Sequence, residues 1–467
     1  MSYEDGFEAL NNGDFPTAAA LLEKAANETG YTSDIINHAY TLALYRLSDN
    51  NRLADIAFKV ARSLCKRDPA SAMDYFQRAM VAGLDAERIR EIGQLFEEWA
   101  TTPSAETQRP LPARPVKRVA HVVGCLVPEH PATQYLKMLV TSLRQQGIES
   151  SIFTTEWSAS WFFNPAGAAQ SQSLEIDAEV KIASVDGDFQ ERATRIAEAL
   201  RSSGIEIAFF HAGLTEQITT RVASLRPLPL QVNVNHDAEM DADLFDARIH
   251  LPEDAMQHTR FSSRAEWIPI VSDIETRLQM NEPVTRQSMG LEAANTVTAT
   301  FGNLQYIAGR DYMRVVSEIL QRFPKHFHLF AGPGNVKVIR SHLHAEGVLP
   351  RVRFLGNVGD VAPLLGMVDV YLVPFPSCDP RSILEAMGAG KPVVAQHNSG
   401  AGLVGIRELI APGVGDYIGI ADRLLRNASL RVKHGEAVLE RFRAEFRPHR
   451  LGERYKAFLD SLCKAQN

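Results

Sequence analysis

From Val116 onward the chain alternates between short runs dense in Val, Ile, Leu and Phe and longer segments of helical period. This alternation constrains the fold more than any single motif. A strand, a helix and another strand pair in parallel by a crossover, and strands buried on both faces are apolar throughout rather than alternating. Two series of runs are present. The first is Val116–Gly124, Ile148–Thr155, Ile205–His211 and Leu230–Asn235. The second is Thr296–Gly302, His326–Gly332, Arg351–Gly356, Val368–Pro374 and Lys391–Gln396. Helices are expected over Ala132–Gln146 and near Phe189–Ser202 and Thr215–Leu225. Two successive doubly wound α/β domains follow, joining near residues 272–292. In such sheets ligands bind at the carboxyl ends of the strands, and two facing domains make the cleft between them the expected site.

Residues 1–101 show no strand-like alternation and read as six helices, roughly 3–11, 15–28, 33–47, 51–67, 70–83 and 86–101. Breakers at Gly13-Asp14, Ser48-Asp49-Asn50, Asp68-Pro69 and Gly83-Leu84-Asp85 separate them. The stretch Asn11–Ala26 resembles the turn and second helix of a tetratricopeptide repeat, with Ala18, Ala19 and Ala25 small enough for close helix approach. A short TPR-like solenoid or a generic helical bundle both fit. Residues 102–115 hold four prolines and no apolar period, which marks a linker. The expected domains are therefore 1–101 helical, 102–115 linker, 116–285 first Rossmann-like and 286–467 second Rossmann-like. A C-terminal helix pair, Arg441–Cys463 with a break at Pro448, is expected to cross back to the first of these.

Hydrophobic residues make up 45% of the 467 residues and charged residues 22%, which excludes a largely disordered chain or a rod. The net charge of -7 offers no global pull toward nucleic acid or anionic membrane. No apolar run approaches the ~20 residues of a membrane helix, and the acidic start shows no secretory signal. Cys65, Cys125, Cys378 and Cys463 lie far apart, which suits a reducing cytoplasm better than a disulfide framework or a zinc site.

Three motifs yield little. Gly332–Lys337 follows a strand but puts Lys337 at the third glycine position of a dinucleotide fingerprint. Gly388–Pro392 is not a P-loop, since Pro392 stands where Ser or Thr binds magnesium and Glu385 where a glycine is needed. Asp241 and Asp243 form an Asp-x-Asp, here read as acids favouring the first turn of a helix rather than a metal site. The informative segment is Val373–Ala395: a strand end, a Pro-rich loop and a helix start near Arg381. Ser382 and the first-turn amides suit a diphosphate, Arg381 adds positive charge, and Glu385 suits a ribose; an ordinary buried loop and helix fits equally.

That segment, with Phe301–Pro324 and Arg351–Pro374, resembles the nucleotide-sugar site in the C-terminal half of GT-B glycosyltransferases. Leu225–Asp254 is similar to the matching segment of the O-linked N-acetylglucosamine transferase family, which includes bacterial cytoplasmic N-glycosyltransferases. Leu225, Arg226, Pro229 and Gln231 match its Leu-Arg-x-x-Pro-x-Gln run, Asp246 its strand aspartate, and His236 lies one position from its loop histidine. The resemblance implies a fold of two Rossmann-like domains behind a helical domain. It also implies a nucleotide-sugar donor, UDP-linked, with no permanently bound cofactor and no metal, and a protein acceptor met by the helical domain and the cleft. The family's diphosphate lysine falls at Tyr306, for which Arg310 is the expected substitute, and its His-x-x-Thr-Thr loop is replaced by Asp379-Pro380-Arg381-Ser382.

Gly302, Asn303, Gly332, Ser399 and Gly400 complete the expected donor site with Arg310, Arg381, Ser382 and Glu385. Retaining GT-B enzymes carry two glutamates eight residues apart in this loop; Glu385 matches the second, but the first position is Ser377 and Asp379 comes two residues late. Inversion is the expected course. It needs stabilisation of the leaving phosphate and a group that orients or deprotonates the nucleophile, for which His236 and Asp237 are the candidates. The alternatives are a glycan, lipid-linked or small-molecule acceptor, or a catalytically weak scaffold binding a partner through its helices.

Overall fold

The computed structural model describes residues 3–47, 49–65, 67, 71–72, 75–76, 78–79, 82, 87–88, 91–92, 115–124, 126, 131–154, 176–182, 189–211, 217–236, 244–251, 265–307, 309–334, 336–376 and 378–464. The chain divides into two compact units, Met1–Ile268 with Lys456–Asn467, and Pro269–Tyr455.

The first unit opens with the helices Tyr3–Asn11, Phe15–Glu28, Asp34–Arg46 and Asn50–Leu64. Two begin where an aspartate caps them: Asp14 accepts from the Thr17 amide and Asp49 from the Arg52 amide, satisfying donors the helix leaves open. Small residues set the packing distance. A Cβ on Gly6 would lie 2.9 Å from Leu22 Cγ, and Ala18, Ala19 and Ala26 are fully or almost fully buried, as a TPR-like arrangement requires. The expected helices over 70–83 and 86–101 and the linker over 102–115 fall mostly outside the described residues.

A seven-stranded parallel sheet follows: β1 (Arg118–Val123), β2 (Glu149–Thr154), β3 (Glu179–Ile182), β4 (Ile207–Phe210), β5 (Leu230–Asn235), β6 (Ala247–His250) and β7 (Ala265–Trp267), in the order β3-β2-β1-β4-β5-β6-β7. The four expected runs are β1, β2, β4 and β5. The strands without a sequence signal are short: β3 and β7 are edge strands that need no apolar run, and β6 contains Arg248 and His250, both buried.

The registers Ala120↔Ala208, Val122↔Phe210 and Val122↔Phe153 put these five side chains on one sheet face. All five belong to a single apolar core with the helices Phe189–Ser202 and Gln217–Ser224 and with the N-terminal helices. The opposite face, through Val123 and Ile152, packs on Leu136 and Val140 of the helix Pro131–Gln145. The N-terminal helices are therefore part of the first unit's core rather than a separate module.

The second unit holds β8 (Thr296–Phe301), β9 (His326–Ala331), β10 (Val352–Phe354), β11 (Val370–Leu372), β12 (Val393–Gln396) and β13 (Ile410–Ala411), all parallel in the order β10-β9-β8-β11-β12-β13. β8 and β11 are neighbours whose connections leave in opposite directions, so their carboxyl ends open a crevice. The unit begins at Pro269, ahead of the expected start at residue 286, because the helix Ile274–Met280 packs here. The Ser272 amide donates to the Phe446 carbonyl, and Gly388 lies so close to Ile274 that a Cβ would come within 2.2 Å of its Cγ2. Among the described residues no helix is long and apolar enough to cross a membrane.

Because the N-terminal helices share a core with Val122, Phe153 and Phe210, a chain of residues 106–467 exposes that face, at about 1.5–3 kcal/mol per large side chain. It should aggregate during size-exclusion chromatography. A soluble, monodisperse truncated protein would overturn the shared-core account.

Candidate functional site

At the carboxyl end of β8 the chain turns at Gly302, and at the end of β9 it turns at Gly332. The two turns touch. A Cβ on Gly332 would sit 1.8 Å from the Gly302 carbonyl oxygen, and Gly332 has φ 140°, so only glycine fits. Gly302, with φ 131°, faces Asp379, whose Cβ is 3.3 Å from where a Cβ on Gly302 would be. The exposed Asn303 follows it.

The loop after β11 leads into the helix Pro380–Gly388. Asp followed by Pro is a cap followed by a residue preorganised for the first helical turn. Asp379 accepts from the Arg381 amide at 3.0 Å through Oδ1 and from the Ser382 hydroxyl at 2.6 Å through Oδ2. The group expected to bind phosphate, Ser382, is buried and committed to Asp379. The chain's own carboxylate thus holds part of the helix N-terminus.

Glu385, one turn on and 4% exposed, is the centre of an ion network. Arg381 folds back along its helix and donates through Nε to Glu385 Oε1 at 3.0 Å. Arg277, from the helix Ile274–Met280, donates to the same Oε1 and also to Asp360, and through Nε to Asp273 at 2.9 Å. Asn281 joins at Asp360 Oδ2, 3.0 Å away. Burial raises the Glu385 carboxyl above the ordinary carboxylate range, and the Arg277 and Arg381 guanidiniums oppose the shift. Burial also works against the Arg277 charge, yet the carboxylates of Glu385, Asp273 and Asp360 win and hold it protonated.

The remaining expected donor groups are spread out. Ser399 is buried and donates to the Pro374 carbonyl at 2.8 Å, pinning one loop to another. Gly400, with φ 75°, caps the short helix Ala401–Val404 against Ile383. Arg310 is exposed at the start of the helix Arg310–Arg322. It lines a groove of about 520 Å³ with Asp311, Arg314, Glu318, His342 and Glu346, and none of the Glu385 network lines that groove.

In the first unit, His236 stands just past β5. Its Nε2 is 3.0 Å from His211 Nδ1, and its ring meets Tyr135 edge-on at 5.3 Å. Asp237, Asp241, Asp243 and Ser377 lie outside the described residues. The run shared with the transferase family is a structural staple: Arg226 donates to Asp246 Oδ1 at 2.8 Å, the Gln231 amide to Asp246 Oδ2 at 2.8 Å, and the Gln231 side chain to the Ala223 and Leu244 carbonyls.

Sequence reasoning missed Arg277 and Asp360, which are 108 and 25 positions from Glu385 and follow no motif. It also missed His211, although a histidine at a strand's carboxyl end was a visible signal.

Residues 296–427, from β8 to just past the helix Val414–Arg426, match the family model of glycosyl transferases group 1. The second unit thus carries a glycosyltransferase domain, and two Rossmann-like sheets behind helices give the GT-B architecture: the protein is a glycosyltransferase by class. More particularly, over 100% of its length it is similar in structure to a mutant Thermobaculum terrenum O-GlcNAc transferase, covering 98% of that chain at TM-score 0.57 and 15% identity. Over 74% of its length it is similar to Anabaena Alr3699/HepE in complex with UDP and glucose, covering 100% of that chain at TM-score 0.55 and 16% identity. A glycosyltransferase from Rickettsia africae aligns over 74% of this chain and 99% of that one, with TM-score 0.56 and 12% identity. No curated protein matches the chain.

Arg277→Met should leave Glu385 buried with one exposed-side partner, at a cost of about 3–5 kcal/mol near neutral pH. Burial then dominates and raises the Glu385 pKa further. A carboxyl with a folded pKa above its unfolded value is penalised only where it ionises, so the variant should recover part of the loss as pH falls toward about 5. Urea denaturation at both pH values checks the sign; a pH-independent loss would show that Arg277 acts only by packing.

Proposed function

We propose that the protein transfers a sugar from a UDP-linked donor to a protein side chain with inversion and without a metal. The observation that carries this reading is Glu385: a buried carboxylate at a Rossmann switch point, inside a group 1 glycosyltransferase domain, gripped by two guanidiniums on a single oxygen. Oε2 is then the atom that accepts from the donor's ribose. The touching turns at Gly302 and Gly332 set the edge of this crevice beside Asp379. Arg381 supplies charge to the leaving diphosphate, with Arg310 as a further cation if the donor extends to the start of its helix.

The diphosphate and Asp379 compete for the same helix terminus. Binding exchanges an internal anion for the ligand's, and the Asp379 side chain turns away as the phosphates arrive. His236 takes the proton of the attacking group as the bond from the anomeric carbon to the phosphate oxygen breaks. Structural likeness along the whole chain to an O-GlcNAc transferase, helical segment included, supports a protein acceptor; the UDP complex of HepE supports the nucleotide. Asp379 seated at the helix terminus favours the second reading, a scaffold that binds no donor.

Isothermal titration with UDP separates the two. Wild-type protein should bind UDP in EDTA. Glu385→Gln should weaken binding by about 1.5–3 kcal/mol, the worth of a charged hydrogen bond. Asp379→Asn keeps the cap but removes the competing charge, and should tighten binding by about 1 kcal/mol in a screened, half-exposed site. No UDP binding by any of the three, or binding restored only by manganese, would sink the donor assignment.

A further inference from the structure

The three-histidine row in the first unit is not explained by the fold alone. Ser150, His121, His211 and His236 come from β2, β1, the end of β4 and the end of β5, which are consecutive neighbours in the sheet. The registers explain how they meet. Ser150 pairs with Val119, His121 with Phe209, and Phe210 with Asn233. From strand to strand the polar residue therefore advances by two positions toward the carboxyl edge. A step of two keeps every side chain on the same face, so the four lie on a diagonal. The links are short: Ser150 Oγ to His121 Nε2 is 3.3 Å, His121 Nδ1 to His211 Nε2 is 3.1 Å, and His211 Nδ1 to His236 Nε2 is 3.0 Å.

We infer that His211 and His121 are positioning residues that set which nitrogen of His236 carries its proton and, with Ser150, pass the acceptor's proton across the sheet. This rests on the reading of His236 as the base. His121 stacks on Phe209 and is wholly buried, and burial lowers its pKa to about 3. Burial, and then the neighbouring imidazoles of His236 and His121, keep His211 well below the usual histidine range. Both rings therefore stay neutral, and each carries one N–H. Every link then holds one proton, and one choice fixes all three. If His121 donates from Nε2 to Ser150, His211 donates from Nε2 to His121, and His236 from Nε2 to His211. Nδ1 of His236 is then the unprotonated nitrogen.

When the acceptor attacks the anomeric carbon, its proton goes to Nδ1 of His236. The Nε2 proton of His236 moves to Nδ1 of His211, that of His211 to Nδ1 of His121, and that of His121 to Ser150 Oγ. The original Ser150 hydroxyl proton leaves to water at this half-exposed strand position. The electron pair of the broken bond leaves with the diphosphate, and no imidazolium forms in the buried row. The cycle closes when water takes the Nδ1 proton of His236 and Ser150 regains one from solvent.

Imidazole nitrogen NMR on the full-length protein tests this, with kcat measured on a UDP-sugar and acceptor in parallel. In wild type, His121, His211 and His236 should show the same tautomer. His121→Phe keeps an aromatic ring on Phe209, and Ser150→Ala, at a half-exposed position, guards against a folding defect in the first variant. Both should change the tautomer balance of His236 and lower kcat by about tenfold, part of what a general base contributes, with the donor KM unchanged. An unaltered His236 spectrum in both variants overturns the proposal whatever the activity. Altered spectra with unchanged kcat overturn the relay step. Wild-type protein that turns over no sugar nucleotide instead overturns the reading of His236 as a base, so the two failures are distinguishable.

Discussion

The guanidinium of Arg277 is the joint on which the second unit's site depends. It comes from the helix at the start of that unit and reaches Glu385, Asp360 and Asp273 at once. A buried carboxylate without such a partner takes up a proton rather than remain ionised. Arg277 thus does two things with one interaction. It ties the helix Ile274–Met280 to the helix Pro380–Gly388, and it opposes the upward shift that burial imposes on the Glu385 carboxyl. Asp273 and Asp360 hold Arg277 in turn, so the charged cluster is closed on itself.

The same principle, polar groups satisfied in the interior by one another, organises the first unit differently. There a row of three linked imidazoles, from β1, β4 and β5, runs across the sheet to the Ser150 hydroxyl on β2. One face of that sheet packs Ala120, Val122, Phe153, Ala208 and Phe210 on a core shared with the N-terminal helices; the other carries the histidine row and packs Val123 and Ile152 on the helix Pro131–Gln145. A neutral row suits this position because it needs no counter-charge, and burial of a charged group there would cost several kcal/mol.

Asp379 closes the N-terminus of the helix Pro380–Gly388 from within the chain. The helix terminus that suits a phosphate is capped by the chain's own carboxylate, through the Arg381 amide and the Ser382 hydroxyl. Both donors are therefore satisfied by a residue of the same loop and helix.

Much of this architecture was legible in the sequence. Apolar runs buried on both faces have no alternative to a parallel sheet, so nine strands and the two-series order followed from composition along the chain. The capped helix at Pro380 was visible as a strand end, a Pro-rich loop and Ser382–Glu385. Strands β3, β6, β7 and β13 were not visible, since edge or polar-containing strands carry no apolar run. Local pattern determined which elements form and which residues lie at strand ends. Tertiary structure alone decided that Ser382 donates to Asp379, that Arg277 rather than a ligand meets Glu385 Oε1, and that three histidines from β1, β4 and β5 form one row. The reason is physical: a hydrogen bond is set by distances of about 3 Å and by strand register, and neither is encoded in the spacing of residues 90 or 108 positions apart.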